Sequence, residues 1–563
     1  MGCEQVKIHQ QLLSKQRSNL SDVHKLAFTP IKVDVLVKYL AGYPDQDIAS
    51  FLYEGFKYGF KLCYEGPRQS VVFPNLKSIQ SHEVEAINII LKEVELGRIS
   101  GPYMQKPLKN LIVSPIGIIP KKDGSWRLIH HLSYPDGASI NDFIDDRHCT
   151  VKYTSFDSAL EMLAKLGPGA EMARLDIKSA FRLLPIHPSD YELLGYKLND
   201  CYFIDKCLPF GCAISCSLFE KFATFLEWEL KRRTDSTNIV HYLDDFLVAG
   251  AHKSNDCFQL MTSYSDMCEE IGVPLAPEKT IGPTSYLTFL GLDIDTNAML
   301  VKIPAEKLDK LRFALLDMLN RKKITLKELQ SLTGLLSFCS RAIPAARAFN
   351  RRFYDAMSRI KKHFHRIRIT VEMKEDAMIW LRFLENFNGC SFYDKSDWID
   401  ANNLQLYTDS AGRANLGCAA IFQTHWIFLP WPINWSSKHL LNDITFLELV
   451  PIVLAFYVLE ESLKNRRLIL NTDNMALVSV LNTKTSKSKR VMHLLRPLIL
   501  LSMRSDIQFK AVHIEGKRNI VADAISRRQW SRFRQNFPNA DGSPLQVPNT
   551  FLNLLFSLEQ LKY

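Results

Sequence analysis

The spacing of apolar residues divides the chain into stretches of different period. From Ser81 to Leu96, the residues Val84, Ile87, Leu91 and Val94 recur at helical spacing, and Gly97 stops the run. The segment "SPIGIIPKKDGSWRLIHHLSY" then predicts a hairpin, two β-rich arms about the pair Asp123-Gly124. Strand and helix patterns alternate from Ala170 to about Asp295. Helices dominate from Pro304 to about Asn386, and a second alternating block runs from about Asn402 to Arg528. A tail rich in Pro, Asn and Gly follows. Before residue 80, "PDQDIASFLYEGFKYGFKLCYEG" predicts one helix and then Gly-punctuated turns. One short run breaks its own pattern. "HYLDDFLVAG", His241 to Gly250, reads as an apolar strand yet holds Asp244 and Asp245 side by side. Successive strand side chains point to opposite faces, so a flat strand would drive one carboxylate into the core, where an unpaired charge is costly.

At 563 residues the chain is long enough for three or four domains with cores of their own. A hydrophobic content of 47% with 23% charged residues places it among soluble globular proteins. The formal charge of +10 suggests an anionic partner without naming one. Its distribution says more. From Val301 to Arg368, 17 Lys and Arg face 5 Asp and Glu, a net +12 that exceeds the excess of the whole chain. A basic helical stretch of this kind is either a grip on a phosphate backbone or a solvated helix face. The 12 cysteines show no Cys-x-x-Cys spacing. That argues against a zinc site or a disulfide framework and for a reducing, intracellular setting, cytoplasmic or nuclear. The most apolar stretch, Phe446 to Leu459, carries Glu448 and Pro451 and is too short to cross a bilayer, so no membrane partner is expected.

Asp244 and Asp245 gain meaning from the company they keep. Alone, Tyr242-Leu243-Asp244-Asp245 says little, since an acidic hairpin turn would look the same. Upstream, "RLDIKSAFRLLPIHP" puts Asp176 at the end of a strand and Phe181 five residues on. "LPFGCAISCSLFEKF" is a Pro/Gly turn opening a helix, "GVPLAPEKT" carries Lys279, and "YLTFLGLDI" follows as a strand pair. In this order and spacing the segments resemble motifs A to E of the reverse transcriptase family. The resemblance implies that Asp176 and Asp244 are ligands of two Mg²⁺ ions, Mn²⁺ being an alternative, with Asp245 auxiliary. Nucleotidyl transfer is an in-line displacement at phosphorus, and two metal ions stabilise the attacking 3′-hydroxyl and the leaving pyrophosphate. Mg²⁺ takes hard oxygen ligands, so a few carboxylates suffice. On this reading the doublet is the bend of a hairpin, where strand alternation lapses.

By the same resemblance, Lys121 and Arg127 on the hairpin arms hold the incoming triphosphate. Phe181 is the sugar gate that excludes a 2′-hydroxyl and selects dNTPs. Lys279 either protonates the leaving pyrophosphate or is a surface lysine. The chain departs from retroviral relatives at Leu208-Pro209-Phe210-Gly211, where they carry Gln in place of Phe210. Phe210 and Gly211 remain substrate-binding positions, but no polar contact to the nucleotide is expected from Phe210.

A second set of acids follows. "LQLYTDSAGRANLGCAAIF", "FLELVPIVLAF", "RLILNTDNMALVSVL" and "FKAVHIEGKRNIVADAISRR" carry Asp409, Glu448, Asp473 and Asp523 on a predicted order β-β-β-α-β-α-α-β-α. Glu448 on an apolar helix is the hardest to explain as a structural residue, because burying it unpaired is expensive. The set resembles ribonuclease H. That implies two metal ions held by the four carboxylates, which activate a water against the RNA strand of an RNA–DNA hybrid. His513, in a basic loop before Asp523, would assist proton transfer or product release.

The combination implies an α+β multidomain chain, a right-hand polymerase followed by an α/β ribonuclease H-like domain. The expected boundaries are an N-terminal extension (1–80), reverse transcriptase fingers and palm (81–300), a helical basic thumb or connection (301–400), the ribonuclease H-like domain (401–530) and a tail (531–563). The expected partners are an RNA template, a DNA primer, an RNA–DNA hybrid and dNTPs. "TPIKVDVLVKYLAGYPD", "DGASINDFI" and "HIEGKRNIVADAISRRQWSRF" resemble DIRS-type retrotransposons, which integrate with a tyrosine recombinase; gypsy-type elements and pararetroviruses share similar endings. The competing reading is a decayed or domesticated copy that only binds nucleic acid. The presence of Asp176, Asp244, Asp245, Asp409, Glu448, Asp473 and Asp523 speaks for an active enzyme.

Overall fold

The computed structural model describes residues 23–558 apart from 122–123, 359, 361, 363, 387–390, 393–397, 400–403, 405, 437–438 and 516–518. The chain divides into two compact units, residues 1–290 with 296–298, and residues 291–295 with 299–563.

The first unit opens with helices α1 (Val33–Leu40) and α2 (Gln46–Tyr58), the second started by Asp45, whose side chain accepts the Ile48 amide. The helix expected before Gly97 is α3 (Glu83–Glu95), with Gly97 at φ 68° just beyond it, a conformation glycine adopts without strain. Strands β1 (Ile116–Pro120) and β2 (Trp126–His130) form the expected hairpin, with Ile118 opposite Leu128. Residues 122–123 of its turn lie outside the described residues.

Next come β3 (Glu171–Asp176), α4 (Ser215–Thr234), β4 (Ile239–Tyr242), β5 (Asp245–Gly250), α5 (Asp256–Ile271) and β6 (Ile281–Thr284). They build an antiparallel sheet in the order β6–β3–β5–β4, with α4 and α5 packed against it. Phe246, Leu247, Val248 and Ala249 of β5 are all buried. A continuous apolar run, rather than an alternating one, is what a strand covered on both faces requires. The core behind this sheet joins Leu175, Phe222, Phe246 and Tyr264 to Leu36, Leu52, Phe56 and Phe60 of the N-terminal helices. Phe56 and Phe222 meet edge to face at 4.8 Å. The residues from Val23 onward thus share this core, where the sequence predicts an extension. A smaller core ties α3 to the hairpin through Ile87, Ile90, Ile116 and Ile118.

The second unit begins with the strand pair β7 (Leu292–Asp295) and β8 (Leu300–Lys302), then α6 (Ala305–Leu319), α7 (Leu326–Cys339), α8 (Arg351–Met357) and α9 (Val371–Asn386). Thr325 and Glu328 close a capping box on α7. Part of the positive charge of this segment is spent within it. Arg321 pairs with Asp317 and Glu328, each at 3.0 Å, and Lys307 donates to the Gly291 carbonyl while lying over Phe338.

The remainder comprises β9 (Leu406–Ser410), β10 (Gly417–Phe422), β11 (His425–Pro430), α10 (Ile444–Val458), β12 (Arg467–Thr472), α11 (Met475–Thr483), α12 (Lys489–Arg504), β13 (Gln508–His513) and α13 (Ile520–Ser526). Apart from one-turn helices this is the predicted order. β9, β10 and β11 form an antiparallel meander, β12 and β13 run parallel, and β9 lies beside β12. Every residue of α10 from Phe446 to Phe456 is buried, as a helix apolar on every side but for Glu448 and packed between a sheet and α12 must be. The expected tail instead forms α14 (Trp530–Asn536) and α15 (Asn549–Leu558), whose Phe533 and Phe551 are buried. The Asp541 and Leu545 amides donate to the carbonyls of Thr424 and Trp426, at 2.9 and 2.8 Å. Among the described residues no helix is long and apolar enough to cross a membrane.

Candidate active site

The acidic doublet falls at a two-residue hairpin turn. Tyr242 closes β4 opposite Asp245, which opens β5, so Leu243 and Asp244 form the bend, and Leu243 takes a positive φ of 54°. On the other side of β5, Asp245 stands opposite Asp176, the last residue of β3. The Ile177 amide donates to the Asp244 carbonyl at 3.0 Å, and the Ala276 amide to the Asp176 carbonyl at 2.9 Å. Three carboxylates from a strand end and an adjacent turn are therefore fixed at one end of the sheet by backbone bonds.

Their electrostatics reflect crowding. Burial raises the Asp244 carboxyl above its ordinary range, and the charge of Asp176 adds to this. Burial lifts Asp245 to about 6; Arg174 acts against the rise, while Asp176 and Asp244 reinforce it. The Arg174 Nε atom lies 3.5 Å from Asp245 Oδ1, an ion pair but not a hydrogen bond, and that oxygen is buried without a hydrogen-bond donor. Lys279 Nζ donates to Asp176 Oδ1 at 2.8 Å. Burial opposes its charged form, but this hydrogen bond and the three aspartate charges hold its pKa above the usual lysine value. Among the described residues no three His, Cys, Asp or Glu side chains stand together as a ready-made metal cluster. Asp176 and Asp245 face cations of the chain instead.

Lys121, Arg127, Asp176, Phe181, Phe210, Asp244 and Lys279 line one cavity of about 400 Å³; Asp245 and Gly211 are not among its walls. Phe181 lies on a one-turn helix, Ala180–Leu183, and the next residue, Arg182, is buried against Asp205 at 2.7 Å and Glu93 at 3.0 Å. Gly211 has φ 108°, and a Cβ there would stand 2.3 Å from the His130 carbonyl oxygen, so only glycine fits. Asn141 clamps the same turn, donating to the Gly211 carbonyl at 2.8 Å and accepting the Ala213 amide at 2.9 Å, while Ser215 Oγ donates to the Pro209 carbonyl at 2.8 Å. Sequence reasoning passed over Asn141, Arg174 and Arg182. Arg174 was within reach: two residues before Asp176 on a strand, it shares that residue's face.

The second acidic set also converges. Asp409 lies in β9, Glu448 on α10, Asp473 just after β12 and Asp523 on α13. Burial lifts Glu448 to about 8, with Asp409 and Asp473 adding to the rise against a 2.8 Å hydrogen bond from Ser410. Burial likewise lifts Asp409 to about 7, opposed by Ser526, whose hydroxyl donates to it at 2.5 Å, and reinforced by Asp523. Asp523 itself is paired with Arg527 and, at 3.0 Å, with Arg532. Asp473 is exposed. His513 is the last residue of β13, exposed and opposite Thr472, rather than in the loop after it as expected; residues 516–518 of that loop lie outside the described residues. Ser410, Ser526, Arg527 and Arg532 were not singled out from the sequence.

Residues 119–294 match the family model described as reverse transcriptase (RNA-dependent DNA polymerase). This stretch is similar to reverse transcriptase domains. It contains the whole first constellation, from Lys121 to Lys279. Part of the chain is also similar to retroviral and pararetroviral polyproteins. The chain is 26% identical over 192 residues, 32% of its length, to the Gag-Pro-Pol polyprotein of Mason-Pfizer monkey virus. It is 22% identical over 319 residues, 55% of its length, to that of mouse mammary tumor virus (strain BR6), and 25% identical over 154 residues, 27% of its length, to the genome polyprotein of petunia vein clearing virus. The matches cover 10%, 16% and 7% of those polyproteins. Among solved structures, a foamy viral protease-reverse transcriptase in complex with double-stranded DNA is similar over 85% of this chain and 81% of its own, at 16% identity and a TM-score of 0.47.

Proposed function

We propose that the chain is an RNA- and DNA-directed DNA polymerase with ribonuclease H activity, which copies the RNA of a DIRS-type retroelement into DNA. The observation that carries the polymerase reading is the turn that sets Asp244 and Asp245 beside Asp176, with Asp176 and Asp244 in the wall of a cavity that Lys121, Arg127, Phe181 and Lys279 also line. The donor set suits divalent metal: hard carboxylate oxygens, raised pKa values at Asp244 and Asp245, and a buried Asp245 oxygen with no donor. Mg²⁺ held by Asp176 and Asp244, with Asp245 auxiliary, would supply the charge that stabilises the attacking 3′-hydroxyl and the leaving pyrophosphate.

The chain's own groups supply the rest. Lys121 and Arg127 hold the triphosphate of an incoming dNTP from the hairpin. The Phe181 ring fills the space a 2′-hydroxyl would need. Lys279, protonated beside Asp176, is placed to give a proton to the leaving pyrophosphate. In the second unit Asp409, Glu448, Asp473 and Asp523 fit a metal-dependent ribonuclease by the same reasoning, since burial and the neighbouring carboxylates lift Asp409 to about 7, against the charge of Arg527, and Glu448 to about 8. His513 would serve proton transfer or product release there. The retroelement assignment rests on the wording of "TPIKVDVLVKYLAGYPD", "DGASINDFI" and "HIEGKRNIVADAISRRQWSRF".

The deciding experiment is extension of a DNA primer on an RNA template with dNTPs and Mg²⁺, alongside cleavage of a labelled RNA–DNA hybrid. Wild type is expected to do both. Asp244→Asn is expected to lose extension and keep cleavage, and Glu448→Gln the reverse. Should wild type extend nothing while Asp176→Asn binds template equally well, the chain is a nucleic-acid-binding protein and not a polymerase.

A further inference from the structure

Phe210 is the position at which the chain departs from the retroviral pattern, and its ring meets two members of the nucleotide site. The guanidinium carbon of Arg127 lies 4.8 Å from the ring centroid, at cation–π distance. The Phe181 ring lies 5.2 Å away, tilted by 49°, and touches Phe219 at 5.7 Å as well. Arg127 is otherwise an exposed side chain on a hairpin, and an exposed arginine samples many rotamers. An aromatic surface beside the cavity removes most of that freedom before a nucleotide arrives, which is how preorganisation raises affinity. The surface is itself fixed. Gly211 has room for no other residue, Asn141 holds the turn on both sides of Cys212, and Ser215 holds Pro209.

We propose that Phe210 is a positioning residue of the nucleotide site. Its ring aims Arg127 at the triphosphate and braces Phe181 against the sugar, so that grip and sugar selection share one support. A glutamine at this position would offer a polar contact to the nucleotide; phenylalanine acts through its two neighbours. The inference rests on the polymerase reading above, and the experiment separates the two.

Steady-state primer extension with dNTP and rNTP is measured for wild type, Phe210→Leu and Phe210→Tyr, with Arg127→Gln alone and combined with Phe210→Leu. Phe210→Leu is expected to raise KM for dNTP about fivefold to tenfold, the span of a partly desolvated cation–π contact, with kcat changed far less. Its rNTP incorporation rises relative to dNTP, and Phe210→Tyr, which keeps the ring, restores both. Arg127→Gln costs less in the Phe210→Leu background than in wild type, because the two residues act together. A role confined to stability would lower the melting temperature and active fraction without a selective rise in KM. If wild type extends primers and Phe210→Leu matches it in KM and rNTP selectivity, or if the Arg127 and Phe210 effects simply add, the positioning role is wrong and the polymerase reading stands. If wild type extends nothing, both fall.

Discussion

At the scale of single residues, the end of the sheet that carries Asp176, Asp244 and Asp245 is supported by a buried histidine. His241 lies on β4, three residues before Asp244, with its ring stacked on Phe246 at 5.2 Å. Glu220 and Glu227 of α4 flank it, the first at 3.3 Å, and Lys231 pairs with Glu227. Burial disfavours the charged ring, but the hydrogen bond with Glu227 and the charges of both glutamates outweigh it and lift the pKa to about 9. The folded state then holds a proton that the unfolded chain releases near its ordinary value. The stabilisation is complete below about pH 6.5 and is lost as pH rises through about 9. The urea midpoint of wild type is expected to fall over that window, and His241→Gln to flatten the fall; equal slopes would mean that the ring is neutral in the fold. Asp244 and Gly211 could be read from local sequence because their chemistry conflicts with the strand or turn that carries them. His241 and Asn141 could not. The glutamates that flank His241 and the turn that Asn141 clamps lie 14 to 72 residues away, and side-chain bonds of that kind leave no period in the chain.

At the scale of elements, what was legible followed from periodicity and turn chemistry. The helix ending before Gly97, the paired arms β1 and β2 of the hairpin and the order of the second alternating block all appear as predicted. The C-terminal segment did not, because Pro, Asn and Gly between the helices mask the apolar residues within them. Phe533 packs on Trp426 at 5.2 Å within a cluster that includes Ala522 and Ile525 of α13, the helix bearing Asp523. Truncating a fully buried phenylalanine typically costs about 3–5 kcal/mol. Phe533→Ala is accordingly expected to lower the melting temperature and to reduce hybrid cleavage while primer extension persists. A solvated tail would leave both assays at wild-type values, and that outcome would return the segment to its composition-based reading.

At the scale of the whole molecule, the chain is organised around two units, and the boundary predicted at residue 400 falls inside the second of them. A buried ion-pair cluster links the two sides of that boundary. Asp376 on α9 is fully buried, accepts from Arg352 on α8 at 2.9 Å and faces Arg496 on α12 at 3.4 Å; Arg496 also donates to the Ala348 carbonyl at 3.2 Å. The helical basic segment and the segment from Leu406 onward are thereby tied through one carboxylate, and Arg352, one of the arginines counted in the basic segment, serves as an internal tie. Arg352 is partly exposed and can turn to Glu375 at 3.5 Å, but Arg496 is largely buried and has no such exit. Replacing one partner of a buried pair leaves the other charge uncompensated, at a cost of about 3 kcal/mol or more. Asp376→Asn is therefore expected to destabilise the second unit as a whole, with the helical and ribonuclease H-like segments losing hydrogen-exchange protection together and hybrid cleavage failing at a lower temperature than in wild type. Loss of protection confined to α8 and α9, with α12 unchanged, would mean that the two segments fold independently and that a boundary lies near residue 400.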